Sequence, residues 1–479
     1  MLNFSKKRLF IPIAGDIFIR NFIDSGAFSE LEKNFEIHYL LSSTVTKKIN
    51  SKNIHRIIND NVQKRTLSRY RTNYLIMKRH QKRSMSFALK YRGTFYRHLS
   101  FFKKTAFNFL SLPGVCETFV YFNEQYLTTL KEIDQILEQN RPDFILIPSG
   151  FSDSFSIDCL KSAKKASVPH LLLMFNWDNV SCKGLFPENP DYLGVWGDQT
   201  QEQAIKIHRM KPENIFILGS PQFETYFEHT QVSVEMKKEI LSKNKISGEK
   251  TVILYLGISR YRDEIALLTL LEDAIRLGHL DNVHILYRPH PWRELDPLEE
   301  NFFDCQFQHI SMDIQLKDHY IATKTQKNYN PKTFVPDYHY PPQLLASVDA
   351  VISSLTTMGI EAMIMGKPVL LPAFPDDRFS FSVDSLIQYD HHNCWEKFRD
   401  AIVCKEKILF IKNCQQLLKL AIDPDVSRRT KEDVKYVVFS DTSTYAQRLN
   451  KLFLKLAPKM DVKIEKTLPS YEQLQSNNP

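Results

Sequence analysis

No stretch of this 479-residue chain approaches the roughly 20 consecutive apolar residues that a membrane-spanning helix needs. That absence predicts a protein that is soluble or peripheral. Cysteine is sparse too: Cys116, Cys159, Cys182, Cys305, Cys394, Cys404 and Cys414 are odd in number, scattered, and never form C-x-x-C. They predict reduced core thiols in a cytosolic protein. G-x-S-x-G, H-E-x-x-H, Walker A and G-x-G-x-x-G are all missing, which counts against hydrolase, metalloprotease and NAD dehydrogenase chemistry. The Asp-x-Asp at Asp423-Pro424-Asp425 stands away from any predicted strand end, so no carboxylate pair for a divalent cation is expected. The N-terminus sets lysines before an apolar run, but Asp16 cuts the run short and no cleavage site follows. It reads as a first strand rather than a signal peptide.

Acidic residues are almost lacking from Lys47 to Lys104, where 17 Lys/Arg stand against Asp60 alone, a local net charge of +16. The rest of the chain, at +8 minus +16, carries −8. Tyr70, Tyr74, Phe87, Tyr91, Phe95, Tyr96, Phe101 and Phe102 lie between the cations. Basic and aromatic side chains together suit an anionic membrane surface, where each cation contributes on the order of 1 kcal/mol. An anionic acceptor polymer or a nucleic acid would be served by the same charge, and a solvated basic face is the plain alternative.

What the chain does have is core. With 43% apolar residues, its length reads as two domains of ordinary size. Short apolar runs closing on Gly, Ser, Asp or Pro recur at Arg8–Ala14, Phe35–Leu41, Asp143–Ser149 and His170–Phe175, then in YLGVWG and IFILGS. They predict buried parallel strands. Helical patterns lie between them, clearest where Leu127, Leu130, Ile133, Ile136 and Leu137 share one face. A polar stretch, Glu235–Lys250, precedes a second series: Thr251–Gly257, VHILY, AVISS and PVLLP, with helices across Asp263–Leu277, from Pro341, and from Thr357 to a helix-ending Gly366. No residue-level repeat relates the two halves. The expected architecture is α/β, two tandem Rossmann-like doubly wound domains with a cleft between them. Its expected parts are an N-terminal domain 1–235 carrying the basic insertion 47–104, a C-terminal domain 248–425, closing helices 426–457 and a flexible tail 458–479. The segment Ser311–Asp337 reads as an excursion from the second domain.

In open parallel sheets ligands bind beyond the carboxyl ends of the strands. His290 stands at such an end, between Pro289 and Pro291, with Arg288 two residues earlier. An arginine fork grips phosphate oxygens, and a protonated imidazole holds and protonates a departing phosphate. A capping histidine is the competing reading. Ser353 and Ser354 end the next candidate strand, and Thr356 and Thr357 open a helix whose first amides form an anion site. Ordinary capping explains the same hydroxyls. Glu361, one turn into that helix, is the natural partner for ribose hydroxyls. Gly257, Ser259 and Arg260 follow a third strand as a weaker phosphate-approach turn. In the first half, Asp16, Ser149, Gly150, Asp178 and Asn179 all follow strands on what would be the acceptor side. Asp16 or Asp178 would take the proton of an acceptor hydroxyl, with a turn-forming role as the alternative for each.

YRPHP followed by ISSLTTMGIEAMIMGKPVLLP resembles glycosyltransferases of the GT-B fold that build bacterial surface polysaccharides, including CDP-glycerol glycerophosphotransferase relatives and CMP-sugar transferases. NIFILGSPQFE is similar to the stretch that ends the first domain in many of them, and FNWDNVSCKG to a segment of surface-carbohydrate biosynthesis proteins. The resemblance covers roughly residues 140–380. It implies that His290 contacts the donor phosphate and assists the leaving group, that Ser353 and Ser354 bind that phosphate, that Glu361 contacts the nucleoside, and that no metal is needed. The first domain lacks the acidic base motif of the sialyltransferase kind.

The expectation is a cytoplasmic transferase, or one peripheral on the inner membrane face. It would move a sugar or polyol phosphate from a nucleotide-sugar or CDP-polyol donor to a lipid-linked or polyanionic glycan acceptor, without a cofactor. The basic segment 47–104 would dock it on an anionic membrane, and nucleic acid is not expected. The rivals are a non-hydrolysing UDP-sugar 2-epimerase and a non-catalytic nucleotide-sugar or nucleic-acid binding protein.

Overall fold

Strands covered on both faces select Val, Ile, Leu and Phe without polar alternation, and the runs of this chain obey that rule. The computed structural model describes residues 6–58, 62–127, 130–151, 153–186, 188–228, 233–260, 262–293, 300–331, 334–335, 337, 339–379 and 382–467. A first sheet holds β1 (Lys7–Ile13), β2 (Phe35–Leu41), β3 (Ile54–Arg56), β4 (Phe144–Ser149), β5 (His170–Met174), β6 (Tyr192–Val195) and β7 (Ile215–Ile217) in the order β3-β2-β1-β4-β5-β6-β7. A second holds β8 (Thr251–Leu256), β9 (Val283–Arg288), β10 (Ile310–Met312), β11 (Ala350–Ser353), β12 (Val369–Pro372) and β13 (Ala401–Cys404) in the order β10-β9-β8-β11-β12-β13. Every neighbouring pair is parallel. The fold is therefore α/β, with two doubly wound sheets whose strand order reverses between β1 and β4 and again between β8 and β11. The strands β3, β10 and β13 were not expected. They are edge strands of three or four residues, too short to leave a run.

The chain divides into two compact units, and each borrows from a distant part of the sequence. Unit 1 contains residues 1–79, 102–221 and 439–479; unit 2 contains 80–101 and 222–438. The closing segment from Phe439 thus belongs with the first sheet. On the helix Tyr445–Thr467, Tyr445, Leu449, Leu452, Phe453 and Leu456 join the core beneath β1 and β4. The Phe453 ring meets Phe144 at 4.9 Å and Phe35 at 5.5 Å. This helix runs past Pro458, where a tail was expected; residues 468–479 lie outside the described residues. Gly219, in the Gly-Ser-Pro stretch, has φ 78° and packs against the Phe439 carbonyl, leaving no room for a side chain.

The basic segment is divided between the two compact units. Residues 62–79 form a helix of unit 1, while 80–101 belong to unit 2. Arg65 and Arg69 are buried and both pair with the fully buried carboxylate of Asp158, Arg69 at 2.9 Å. Arg69 also binds Glu124 at 3.1 Å, and Lys161 reaches that same carboxylate at 3.1 Å. Tyr74, Phe87 and Tyr91 are buried as well. In unit 2, Ser84 caps the helix Met85–Lys90, and the Ser84 and Ser86 hydroxyls donate to Asp390 at 2.6 and 2.9 Å. The expectation of a continuous docking patch over 47–104 is narrowed accordingly: Arg65, Arg69, Tyr74, Phe87 and Tyr91 are spent on internal contacts, while Tyr70, Phe101 and Phe102 stay exposed. Among the described residues no helix is long and apolar enough to cross a membrane.

Removing one partner of a buried ion pair leaves the other charge uncompensated and costs about 3–5 kcal/mol. Asp158→Ala, which strands two guanidinium groups, is expected to cost at least that much in urea denaturation of the whole chain. A loss below about 1 kcal/mol would remove Asp158 as the tie between the helices Val62–Arg79 and Ser154–Lys165.

Candidate functional site

The strand order of the second sheet reverses between β8 and β11, the place where doubly wound sheets bind their ligands, and backbone bonds stitch the neighbouring strand ends together there. Gly257 N–H donates to the Arg288 carbonyl at 2.9 Å, and Ser354 N–H to the Leu256 carbonyl at 3.1 Å. The segments 257–260, 288–290 and 353–357 therefore leave the sheet side by side, at the ends of β8, β9 and β11.

Behind them sits Glu264, fully buried in the first turn of the helix Glu264–Arg276. Its carboxylate accepts from the Ile258 amide, accepts from the Tyr287 hydroxyl at 2.6 Å, and pairs with Arg293 at 2.9 Å. Arg293 donates onward to the carbonyls of Ile258 (2.7 Å) and Arg262 (3.1 Å). Any side chain at Gly257 would collide with this carboxylate, its Cβ lying 2.6 Å from Oε2. Gly257 is thus a close-approach glycine, and Glu264 and Arg293 are structural residues that sequence reasoning missed. Arg260 is exposed and Ser259 half-buried at the same turn.

His290 is half-buried, and Trp292 N–H donates to its Nδ1 at 3.0 Å. That bond makes Nδ1 the acceptor and puts the ring proton on Nε2. Burial, with Arg293 and Arg288 nearby, pushes its pKa down to about 4. The resting imidazole is therefore a neutral N–H donor, not the protonated acid that was expected. Its loop is braced by the segment read as an excursion: His319 binds the Pro291 carbonyl, the His319 ring stacks on Phe334 at 4.3 Å, and Trp292 Nε1 donates to the Phe334 carbonyl at 2.9 Å.

Three expected donor contacts are redrawn by burial. Arg288 is 3% exposed and committed to the fully buried Asp313, with Gln315 Oε1 at 2.9 Å. It positions β9 rather than reaching a ligand. The Ser353 and Ser354 side chains are fully buried, Ser353 Oγ facing Thr356 Oγ1 at 3.4 Å and Ser354 Oγ facing the Tyr255 hydroxyl at 3.5 Å. Their hydroxyls shape the turn from within. What the turn offers outward is the half-buried Thr356 and Thr357 and the first-turn amides of the helix Thr357–Ile364. Leu355, between strand and helix, has φ 53°, a left-handed conformation that a branched side chain rarely holds. Glu361 is half-buried and accepts from the Tyr226 hydroxyl, a partner that the sequence did not suggest.

Unit 1 has its own row of strand ends, from β1, β4 and β5. Asp16 uses both oxygens to hold the chain at 46–47, accepting from the amides of Thr46 (2.8 Å) and Lys47 (3.0 Å) and from the Thr46 hydroxyl. These bonds outweigh its partial burial and hold its pKa below the usual carboxylate range. The Asp178 carboxylate meets Lys183 at 3.0 Å, Cys182 Sγ at 3.2 Å and Asn179 Nδ2 at 3.2 Å. A carboxylate stabilised in its ionised form is a weak base, which corrects Asp16 to a bracing role; Asp178 braces its own turn through Lys183, Cys182 and Asn179. Asn179 is buried and braces the loop, accepting from the Phe175 and Asn176 amides at 3.1 and 2.6 Å and donating to the Gly150 carbonyl at 3.3 Å. Ser149 Oγ accepts from Phe151 N–H at 2.9 Å, and Gly150 N–H donates to Asp153 at 3.3 Å. Phe151, like Leu355, is left-handed, with φ 64°. Beside it opens a cavity of about 100 Å³, lined by Arg69, Tyr70, Asn73, Glu124, Phe151 and Leu185. Among the described residues no three His, Cys, Asp or Glu side chains group to hold a metal ion.

No family model matches the chain, and no curated protein matches it. Solved structures do. A Listeria monocytogenes protein assigned as a UDP-N-acetylglucosamine 2-epimerase is 10% identical with a TM-score of 0.50, covering 95% of this chain and 97% of its own. The S. aureus MnaA–UDP co-structure is 11% identical, also at 0.50, covering 95% and 97%. The wall teichoic acid polymerase TagF aligns at 11% identity and 0.46, covering 97% and 90%. At these identities the first two establish a shared fold, and the third carries no argument.

Protons bind the unfolded chain more readily than the folded one wherever a histidine pKa is depressed, so stability falls as pH falls through that window. His290 and the half-buried His284, whose desolvation also lowers its pKa to about 4, set the window between their ordinary value near 6.5 and about 4. The chemical-denaturation midpoint is expected to drop between pH 6.5 and 4, and less steeply in His284→Gln/His290→Gln. An identical pH slope in that double variant would contradict the assignment.

Proposed function

We propose that unit 2 binds a nucleotide-activated donor at the ends of β8, β9 and β11, and that the chain transfers its sugar or polyol phosphate to a lipid-linked or polyanionic glycan acceptor. The observation that carries the reading is the meeting of three strand exits at one reversal of strand order, with a neutral imidazole donor and helix-first amides at their mouth. A diphosphate needs such donors, and no cationic side chain is required when amides and a helix dipole point at it. His290 Nε2–H would hold a phosphate oxygen, the amides of the Thr357–Ile364 turn would hold another, and Glu361 would accept from ribose hydroxyls. In the transfer the bond between the group and its donor phosphate breaks, the electron pair stays on phosphate oxygen, and the acceptor hydroxyl oxygen forms the new bond as its proton is released to solvent. The developing phosphate charge raises the basicity of Nδ1, so proton uptake at His290 accompanies donor binding or departure at the expense of the Trp292 bond. The reaction is written without metal or cofactor, and EDTA is expected to leave turnover intact.

The names of the two structural neighbours, a UDP-N-acetylglucosamine epimerase and a UDP complex, support a UDP-linked donor and keep 2-epimerisation as the second reading. The two separate on one assay. An epimerase converts a UDP-sugar with no acceptor present; a transferase releases nucleotide only when an acceptor is added.

Donor binding is tested first by thermal shift with UDP, CDP, CMP and GDP derivatives. A ligand at 100 times its Kd adds about 2.7 kcal/mol, enough to single out one base. His290→Ala is expected to weaken nucleotide binding about tenfold while melting unchanged without ligand. His290→Gln, which keeps an N–H donor but has no titratable nitrogen, should bind but lose the gain in affinity that the parent shows from pH 7 to pH 5. Nucleotide affinity untouched by His290→Ala would end the reading.

A further inference from the structure

Two consecutive helices, Phe101–Leu110 and Val115–Tyr126, belong to unit 1 from Phe102 onward and turn one side into the unit and the other outward. Inward go Phe107, Cys116, Glu124 and the following Leu127. Outward go Phe102 (83% exposed), Phe109, Leu112, Phe119, Phe122 and Tyr126 (79%). Phe119, Phe122 and Tyr126 follow one another at i, i+3 and i+7, so they form one stripe. Isolated exposed apolar residues are ordinary, but seven between residues 102 and 126, Tyr121 included, mark a surface made for contact.

We infer that this hairpin inserts its outer face into the headgroup region of an anionic lipid bilayer. Charge decides the occupant. From 102 to 126 the acids are Glu117 and Glu124; the second is buried, and the first is paired with Arg79 at 2.9 Å. Lys103 and Lys104 stand in the first turn beside Phe102, and Lys78 reaches Asn108 on the same helix. Positive charge beside phenylalanine, with tyrosine at the edge, is the composition of a helix lying in a lipid interface. A protein partner or a second copy would be expected to meet a mixed-sign rim. The inner side of the helix Val115–Tyr126 contributes Val120 and Glu124 to the 100 Å³ cavity beside Phe151. Docking the outer face would therefore hold that cavity, and the strand ends of β4, at the depth of lipid headgroups. The inference stands apart from the donor reading, since no residue in it belongs to unit 2.

The test is sedimentation of the full-length chain with phosphatidylcholine vesicles and with vesicles containing 30% phosphatidylserine, a composition of about one anionic lipid in three. The parent is expected to bind the anionic vesicles and release as salt rises. Phe109→Ser/Phe122→Ser and Lys103→Glu/Lys104→Glu are each expected to weaken binding at least about tenfold. Both should keep the parent's circular dichroism and nucleotide-induced thermal shift, so a failure here is distinguishable from a failure of the donor reading. Binding equal in parent and variants, or absent from both vesicles, overturns the inference. So does a parent that is dimeric by sedimentation velocity and becomes monomeric in the phenylalanine variant, which gives the face to a second copy.

Discussion

A single buried carboxylate organises the candidate site. Glu264 has no contact with solvent, and its partners come from three different places: the exit of β8 at Ile258, the body of β9 at Tyr287, and the loop beyond His290 at Arg293. A charge taken out of water is tolerated only when every lone pair is engaged, so the three segments must sit where the carboxylate finds them. Gly257 is dictated by the same group, because nothing larger fits against it. The orientation of His290 follows, since Arg293 N–H closes the turn on the His290 carbonyl at 3.0 Å and Trp292 N–H fixes the ring tautomer. Asp313 does the equivalent work one strand further out, holding Arg288 and the Tyr340 hydroxyl.

Unit 1 uses the same device for a different purpose. Asp158 and Glu124 gather Arg65, Arg69 and Lys161, which ties three helices into one wall. That wall is the back of the helical hairpin that carries the exposed aromatic stripe. The charge that made the segment from 47 to 104 stand out in the sequence is thus divided. Part of it neutralises buried acids that lie far away in the chain, and part stays at the surface.

The fold was legible in the sequence because parallel strands buried on both faces leave apolar runs, and the runs from β1 to β12 closed on recognisable turn residues. The edge strands β3, β10 and β13 left no such signal. Strand ends could be read from the same pattern, which is why His290, Gly257 and Thr357 were placed together. Side-chain direction could not. Ser353 and Ser354 look like ligands by position, yet the pleat and the left-handed Leu355 turn them inward. Arg288 looks like a phosphate clamp, yet its acid lies 25 residues away in sequence. Asp16 looks like a base, yet donors about 30 residues away, at Thr46 and Lys47, engage its lone pairs. Long-range ion pairs of this kind have no local sequence pattern. The matched left-handed residues Phe151 and Leu355, each just beyond the strand where its sheet reverses, have none either.

The central claim is that the ends of β8, β9 and β11 form one anion-binding mouth. A crystal structure of the full chain with UDP or CDP tests it most directly. The account predicts diphosphate oxygens about 3 Å from His290 Nε2 and from the first amides of the Thr357–Ile364 helix. A nucleotide seated on the strand ends of unit 1, or anywhere that leaves His290 uncontacted, would contradict it.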